Sequence, residues 1–190
     1  QRLLGFDRTR VLGVGGLLSS TRLRYLVSTA LGVSPRDVTG MVIGPHHTDM
    51  VVLRNTVRIS GIPAEKLLDA EQFDSIIGEV RKADDTILYM SQQSAAFYAP
   101  SAAIAALVNA IVRDTKAVLP VSIRLEGEYG QSEIAVSIPA RIGARGVEQI
   151  VSVELSARER AEFQNAIASL RASLERAGGW CDRTGGARDA

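Results

Sequence analysis

The sequence predicts an α+β fold, an antiparallel sheet carrying long helices. Short apolar runs with strand-like alternation are bounded by glycine, proline and aspartate. Longer segments repeat their apolar residues at helical spacing. The two kinds of segment do not alternate in the regular strand–helix–strand order of a parallel nucleotide-binding sheet. The chain has 190 residues, of which 46% are hydrophobic and 23% charged, enough for one folded core and too apolar for a disordered chain.

The elements follow in order. Residues 10–14 read as a short strand. Ser19, Ser20 and Thr21 are candidate N-caps for a helix with Leu23, Leu26, Val27, Ala30 and Leu31 on one face, and Gly32 closes it. Strands are expected at 38–44, 50–53 and 56–60, before the break Gly61-Ile62-Pro63. Residues 64–68 and 70–92 read as helix. Pro100 opens a further helix to Asp114, whose small residues predict burial. Strands at 117–125, 133–139 and 146–155 are punctuated by Gly127, Gly130, Gly143 and Gly146. Ser156 and Glu159 have capping-box spacing and open a helix with Phe163, Ile167, Leu170, Leu174 and Ala177 on one face. Gly178-Gly179 is expected to stop that helix, giving a domain over 1–178 and a mobile tail over 179–190.

Charge and composition exclude some partners. A net charge of +1 and 5% aromatic residues give no basis for binding nucleic acid or an anionic membrane surface. No apolar run reaches the length of a membrane span. The single cysteine, Cys181, cannot close an internal disulfide, which points to a reducing cytoplasm.

Three places carry possible chemistry. Gly13-Val14-Gly15-Gly16 follows a strand and precedes a helix, but Leu18 stands where a G-x-G-x-x-G loop has its last glycine, so a plain turn is the better reading. Arg22 lies in the first helical turn on the same side as Ser19 and Leu26. Its guanidinium fork suits a carboxylate, although a solvated surface arginine has the same spacing. His46 and His47 are the only histidines and lie just past a strand, with Asp49 nearby. Histidine moves protons near neutral pH, and it also serves as an ordinary hydrogen-bonded loop residue. Adjacent strand residues face opposite ways, which argues against a shared metal, and no metal is expected.

Taken together, these stretches resemble the C-terminal domain of the malate/lactate dehydrogenase family. The matching residues are Val11-Leu12-Gly13 through Arg22-Leu23-Arg24-Tyr25-Leu26, and Val42-Ile43-Gly44-Pro45-His46. Ser60-Gly61-Ile62-Pro63, Ala96-Phe97-Tyr98-Ala99-Pro100-Ser101, Leu119-Pro120 and Glu126-Gly127-Glu128-Tyr129-Gly130 are closer to the malate branch, as is Ile138-Pro139 with Gly143 and Gly146-Val147-Glu148. The likeness runs from about residue 6 to residue 177.

The resemblance implies the substrate-binding and catalytic half of a 2-hydroxyacid dehydrogenase. Arg22 would hold the carboxylate of a small 2-hydroxy or 2-oxo acid, malate or lactate, and His46 would move the hydroxyl proton. Ala95 falls where the family has a small residue beside the substrate. NAD, or NADP, would exchange the hydride and be held by a preceding nucleotide-binding domain that these residues do not include, so no cofactor-binding residue is expected here and the chain alone is expected to be inactive. The family also implies a homodimer or tetramer. One position departs from it: three residues before the arginine the family has an aspartate that orients the histidine, and here that residue is Ser19. The second reading is therefore a non-catalytic oligomerisation or binding module derived from a dehydrogenase.

Overall fold

The computed structural model of the chain describes residues 5–46, 49–91 and 97–184. α1 (Leu17–Leu31) leads into β1 (Val38–Ile43), β2 (Val51–Ile59) and the short β3 (Ile62–Pro63). α2 (Ala70–Ser91) and α3 (Tyr98–Val112) follow, then β4 (Ala117–Glu126), β5 (Ser132–Gly143), β6 (Gly146–Ile150) and α4 (Ala157–Thr184). The strands form two sheets, ordered β1-β2-β3 and β4-β5-β6, with every pairing antiparallel. The expected α+β class is what the chain adopts.

Two apolar cores flank the first sheet. Leu23 and Val27 of α1 meet Val42 and Val52 of the sheet and Phe73, Ile77 and Val80 of α2. On the other side Ile43, Val51 and Leu53 join Val121 and Ile123 of β4, Val136 and Ile138 of β5, and Phe163 of α4. Strand periodicity explains the split, since neighbouring residues such as Val51 and Val52 face opposite layers.

β2 is one strand rather than the two read from sequence. The pairing runs Met41 with Leu53 and then Thr39 with Arg58, so extra residues of β2 bulge out between them. Thr56 stitches the bulge: its Oγ1 donates to the Leu53 carbonyl at 2.6 Å and accepts the Met41 amide at 3.0 Å. Arg54 and Asn55, which separated the two expected strands, lie in this bulge.

Other expectations need correcting. Residues 10–14 form no named strand; a 3-10 turn at Arg8–Arg10 is followed by a single bridge between Gly13 and Ser122. Residues 64–68 hold only a 3-10 turn at Ala64–Lys66. α1 begins at Leu17 with Gly16 as its N-cap, and the hydroxyls of Ser20 and Thr21 bond back to the carbonyls of Gly16 and Leu17 instead of capping. α3 begins at Tyr98, with Pro100 inside the first turn, where a missing N–H costs nothing. α3 is also less buried than its composition predicts: Ala103, Leu107 and Ala110 are covered, while Tyr98, Ile104, Val108 and Val112 face outward. Gly178-Gly179 does not stop α4, which continues to Thr184; glycine weakens a helix by about 1 kcal/mol but does not forbid it. Residues 179–184 of the expected tail are thus helical, and 185–190 lie outside the described residues. No helix among the described residues is long and apolar enough to cross a membrane.

Candidate active site

The start of α1 is set by backbone approaching backbone. A Cβ on Gly16 would fall on the Val42 carbonyl, and one on Gly15 would meet the Ser122 amide at 2.6 Å. The Gly16 amide donates to Ser137 Oγ at 2.8 Å. The glycine run is therefore a packing device, and its amide is already committed inside the protein. This agrees with the reading as a plain turn.

Ser137 also fixes the strand that leads to the histidines. Gly44 donates to the Ser137 carbonyl at 2.8 Å and accepts the Ser137 amide at 3.2 Å. Gly44 has φ +86, a left-handed conformation that turns the chain at the end of β1 into Pro45 and His46. One buried serine of β5 thus holds both the helix that bears Arg22 and the turn that bears His46.

The two side chains converge on one carboxylate. Asp84, midway along α2, places Oδ1 2.7 Å from Arg22 Nη2 and Oδ2 3.4 Å from His46 Nε2. The Arg22 side chain is 12% exposed, so its charge needs an anion beside it. His46 is 52% exposed and open to a ligand. Both Arg22 Nη atoms are shielded from solvent, and among the described residues neither has an acceptor in hydrogen-bonding direction, despite the short distance to Asp84. The ion pair is close, but it leaves the guanidinium fork unfilled.

Ser19 is 1% exposed in the first turn of α1, on the side of Arg22. The acid that faces the imidazole comes from α2 and not from this position. Ala95 and His47 lie outside the described residues. Among the described residues no group of three or more histidine, cysteine, aspartate or glutamate side chains is placed to hold a metal.

Two cavities flank the Asp84 bridge. The one beside His46 has a volume of about 530 Å³ and is walled by Val14, Leu18, Pro45, Pro100 and Val136. Its apolar lining would suit the flat ring of an organic cofactor better than a phosphate chain. The other, about 370 Å³, is walled by Arg22, Tyr25, Leu26, Glu79, Ala83 and Ile87. Arg22 and His46 therefore open onto different cavities and are joined through Asp84 between them.

Asp84 was missed from sequence. It belongs to the doublet Asp84-Asp85 within an ordinary charged helix. Nothing in that local pattern separates it from a solvated pair; only the packing of α2 against α1 brings it to Arg22.

The sequence and the fold have counterparts among known proteins. The model of the lactate/malate dehydrogenase alpha/beta C-terminal domain matches residues 17–178. Malate dehydrogenase 1 of Anaeromyxobacter dehalogenans is 40% identical over 173 residues, covering 91% of this chain and 55% of that protein. Malate dehydrogenase of Halalkalibacterium halodurans is 41% identical over 167 residues, covering 88% of this chain and 53% of that protein. The solved malate dehydrogenase from Salinibacter ruber superposes with a TM-score of 0.91 at 32% identity, over 95% of this chain and 59% of that one. The chain spans about half the length of the curated relatives it matches.

Proposed function

The chain belongs to the lactate/malate dehydrogenase family, and from that premise we propose that it is the substrate-binding half of an oxidoreductase that interconverts a 2-hydroxy acid, malate foremost, and its 2-oxo acid. The observation that carries this reading is the convergence of Arg22 and His46, distant in sequence, on a single carboxylate. A guanidinium and an imidazole that meet the two oxygens of one carboxylate suit the acid and hydroxyl groups of one small molecule.

In this reading Arg22 grips the substrate carboxylate through its unfilled fork. His46 accepts the hydroxyl proton during oxidation and returns it during reduction. Ala95 stands beside the substrate. NAD, or NADP, supplies the hydride exchange when bound. Val14, Leu18, Pro100 and Val136 would hold its reactive ring next to His46 and keep water from it. The Gly16 amide, already bonded to Ser137, offers its phosphates no seat, so a nucleotide-binding domain would hold the rest. Residues 1–178 act as one domain, NAD binding needs a second domain, and these residues alone do not turn over. A homodimer or tetramer in the cytoplasm goes with this reading.

The test joins this chain to a nucleotide-binding domain of the family and measures oxaloacetate-dependent oxidation of NADH, with pyruvate as comparison. His46→Ala is expected to lower kcat by about 10²- to 10⁴-fold. Unchanged turnover in that variant removes His46 from the chemistry.

A second reading rests on Ser19. Without the family's aspartate, the chain would be a binding or oligomerisation module with no turnover in any setting, and Ser19→Asp would create none. A large gain of activity in Ser19→Asp rejects that reading.

A further inference from the structure

Resting on the roles given above to Arg22 and His46, we propose that Asp84 determines specificity: its carboxylate stands in the place of the substrate's own acid group, and a small anion binds only by displacing it. Each oxygen of Asp84 meets a different one of the two groups a 2-hydroxy acid needs, Oδ1 the guanidinium of Arg22 and Oδ2 the imidazole of His46. The bridge is made by a side chain of the protein, so the positive charge that would attract an anion is already countered. Glu79, on the same helix, lines the Arg22 cavity and adds further negative potential.

The contact is also built to be exchanged. Arg22 Nη2 is within 2.7 Å of Asp84, yet neither of its Nη atoms is hydrogen-bonded in direction among the described residues. A planar carboxylate delivered end-on could fill that fork bidentately, which Asp84, reaching Arg22 with one oxygen and His46 with the other, does not. Asp84 is 30% exposed, so a change of rotamer can carry its charge toward water. The site therefore discriminates against weak monoanions and favours an acid whose second polar group also engages His46, because only a molecule replacing both contacts compensates for the loss of both.

The experiment uses the purified chain as wild type, Asp84→Asn, Arg22→Ala and the Asp84→Asn/Arg22→Ala double variant. Each is titrated with L-malate and, separately, with acetate. The imidazole proton resonances report binding, and the chain has 2 histidines, so a His46→Gln spectrum assigns them. Asp84→Asn is expected to bind malate at least about tenfold more tightly than wild type, since a fixed negative charge has left the site. The gain disappears in the double variant, and acetate, which can replace only the Arg22 contact, binds more weakly than malate to both wild type and Asp84→Asn. Thermal unfolding gives a second reading: Asp84→Asn melts lower than wild type without ligand, because Arg22 is left unpaired, and recovers more than wild type when malate is added. If Asp84→Asn binds malate no better than wild type, or not at all, the proposal is overturned. A loss of binding in Arg22→Ala alongside that result leaves the role of Arg22 standing. Arg22→Ala binding malate as wild type does would instead overturn the functional reading itself.

Discussion

Ser20 Oγ accepts the Val42 amide at 2.9 Å while donating to the Gly16 carbonyl at 2.7 Å. This one hydroxyl ties the helix that carries Arg22 to the strand that leads to His46. Replacing it leaves a buried amide without a partner. Ser20→Ala is expected to lower stability by about 1–3 kcal/mol, measured by urea denaturation. A change near zero would mean that water or a neighbour satisfies Val42.

Gly16→Ala tests the close approach of α1 to β1. The added Cβ would overlap the Val42 carbonyl, and neither backbone can yield without moving the sheet. The expected loss is at least about 3 kcal/mol, or failure to fold. Gly78→Ala is the control. Gly78 lies within α2 with nothing near its Cβ position, so alanine there should raise stability by about 0.5–1 kcal/mol.

Glu159 joins α4 to β2. Its Oε2 accepts the Ser156 amide at 2.8 Å, and its Oε1 accepts the Arg54 amide at 2.9 Å. Glutamine keeps one acceptor and turns an NH2 group toward the other amide. Glu159→Gln should therefore cost about 1–3 kcal/mol in chemical denaturation, and hydrogen exchange at the start of α4 should quicken.

Acid should loosen the β4–β5 end of the protein. The Arg8 guanidinium, 2.8 Å from Glu128, holds that carboxyl at about 2, below its ordinary 4.5. A depressed folded-state value means the contribution is present above about pH 4.5 and is lost as pH falls toward 2. The pair lies near the surface, so its worth is about 1 kcal/mol or less. Glu128→Gln should flatten that part of the stability–pH curve; an unchanged slope would place the acid sensitivity elsewhere.

Arg22→Lys keeps the charge and removes the fork. With the chain joined to a nucleotide-binding domain, the proposed reaction predicts that kcat/KM for oxaloacetate falls about 10- to 100-fold, the worth of a charged hydrogen bond. Full activity in the lysine variant would show that charge alone suffices.

Much of this was readable from the residues. The alternating apolar positions of β4 and β5 and the Ser156/Glu159 box gave their elements directly, because strand period and capping chemistry are local. Arg22 and His46 were legible as candidates through resemblance, and their convergence came only with the fold. Asp84 was not legible, since a carboxylate on a polar helix face has no mark until another helix packs against it. The bulge in β2 was misread for a related reason: Thr56 supplies the missing bonds through its side chain, which period counting does not see. The exposed residues of α3 share the composition of buried ones, so sequence alone could not tell which side would be covered.

Ser137 has a consequence for the order in which the molecule assembles. Its three bonds, to the Gly16 amide and to both backbone groups of Gly44, reach far back along the chain. Closing such loops costs entropy that is recovered only once the distant strand exists. The bonds that anchor Gly16 and Gly44 therefore wait until β5 is in place. A chain that ends before β5 would keep the Ser20 link between α1 and β1 but would lack the clasp at Gly16 and Gly44.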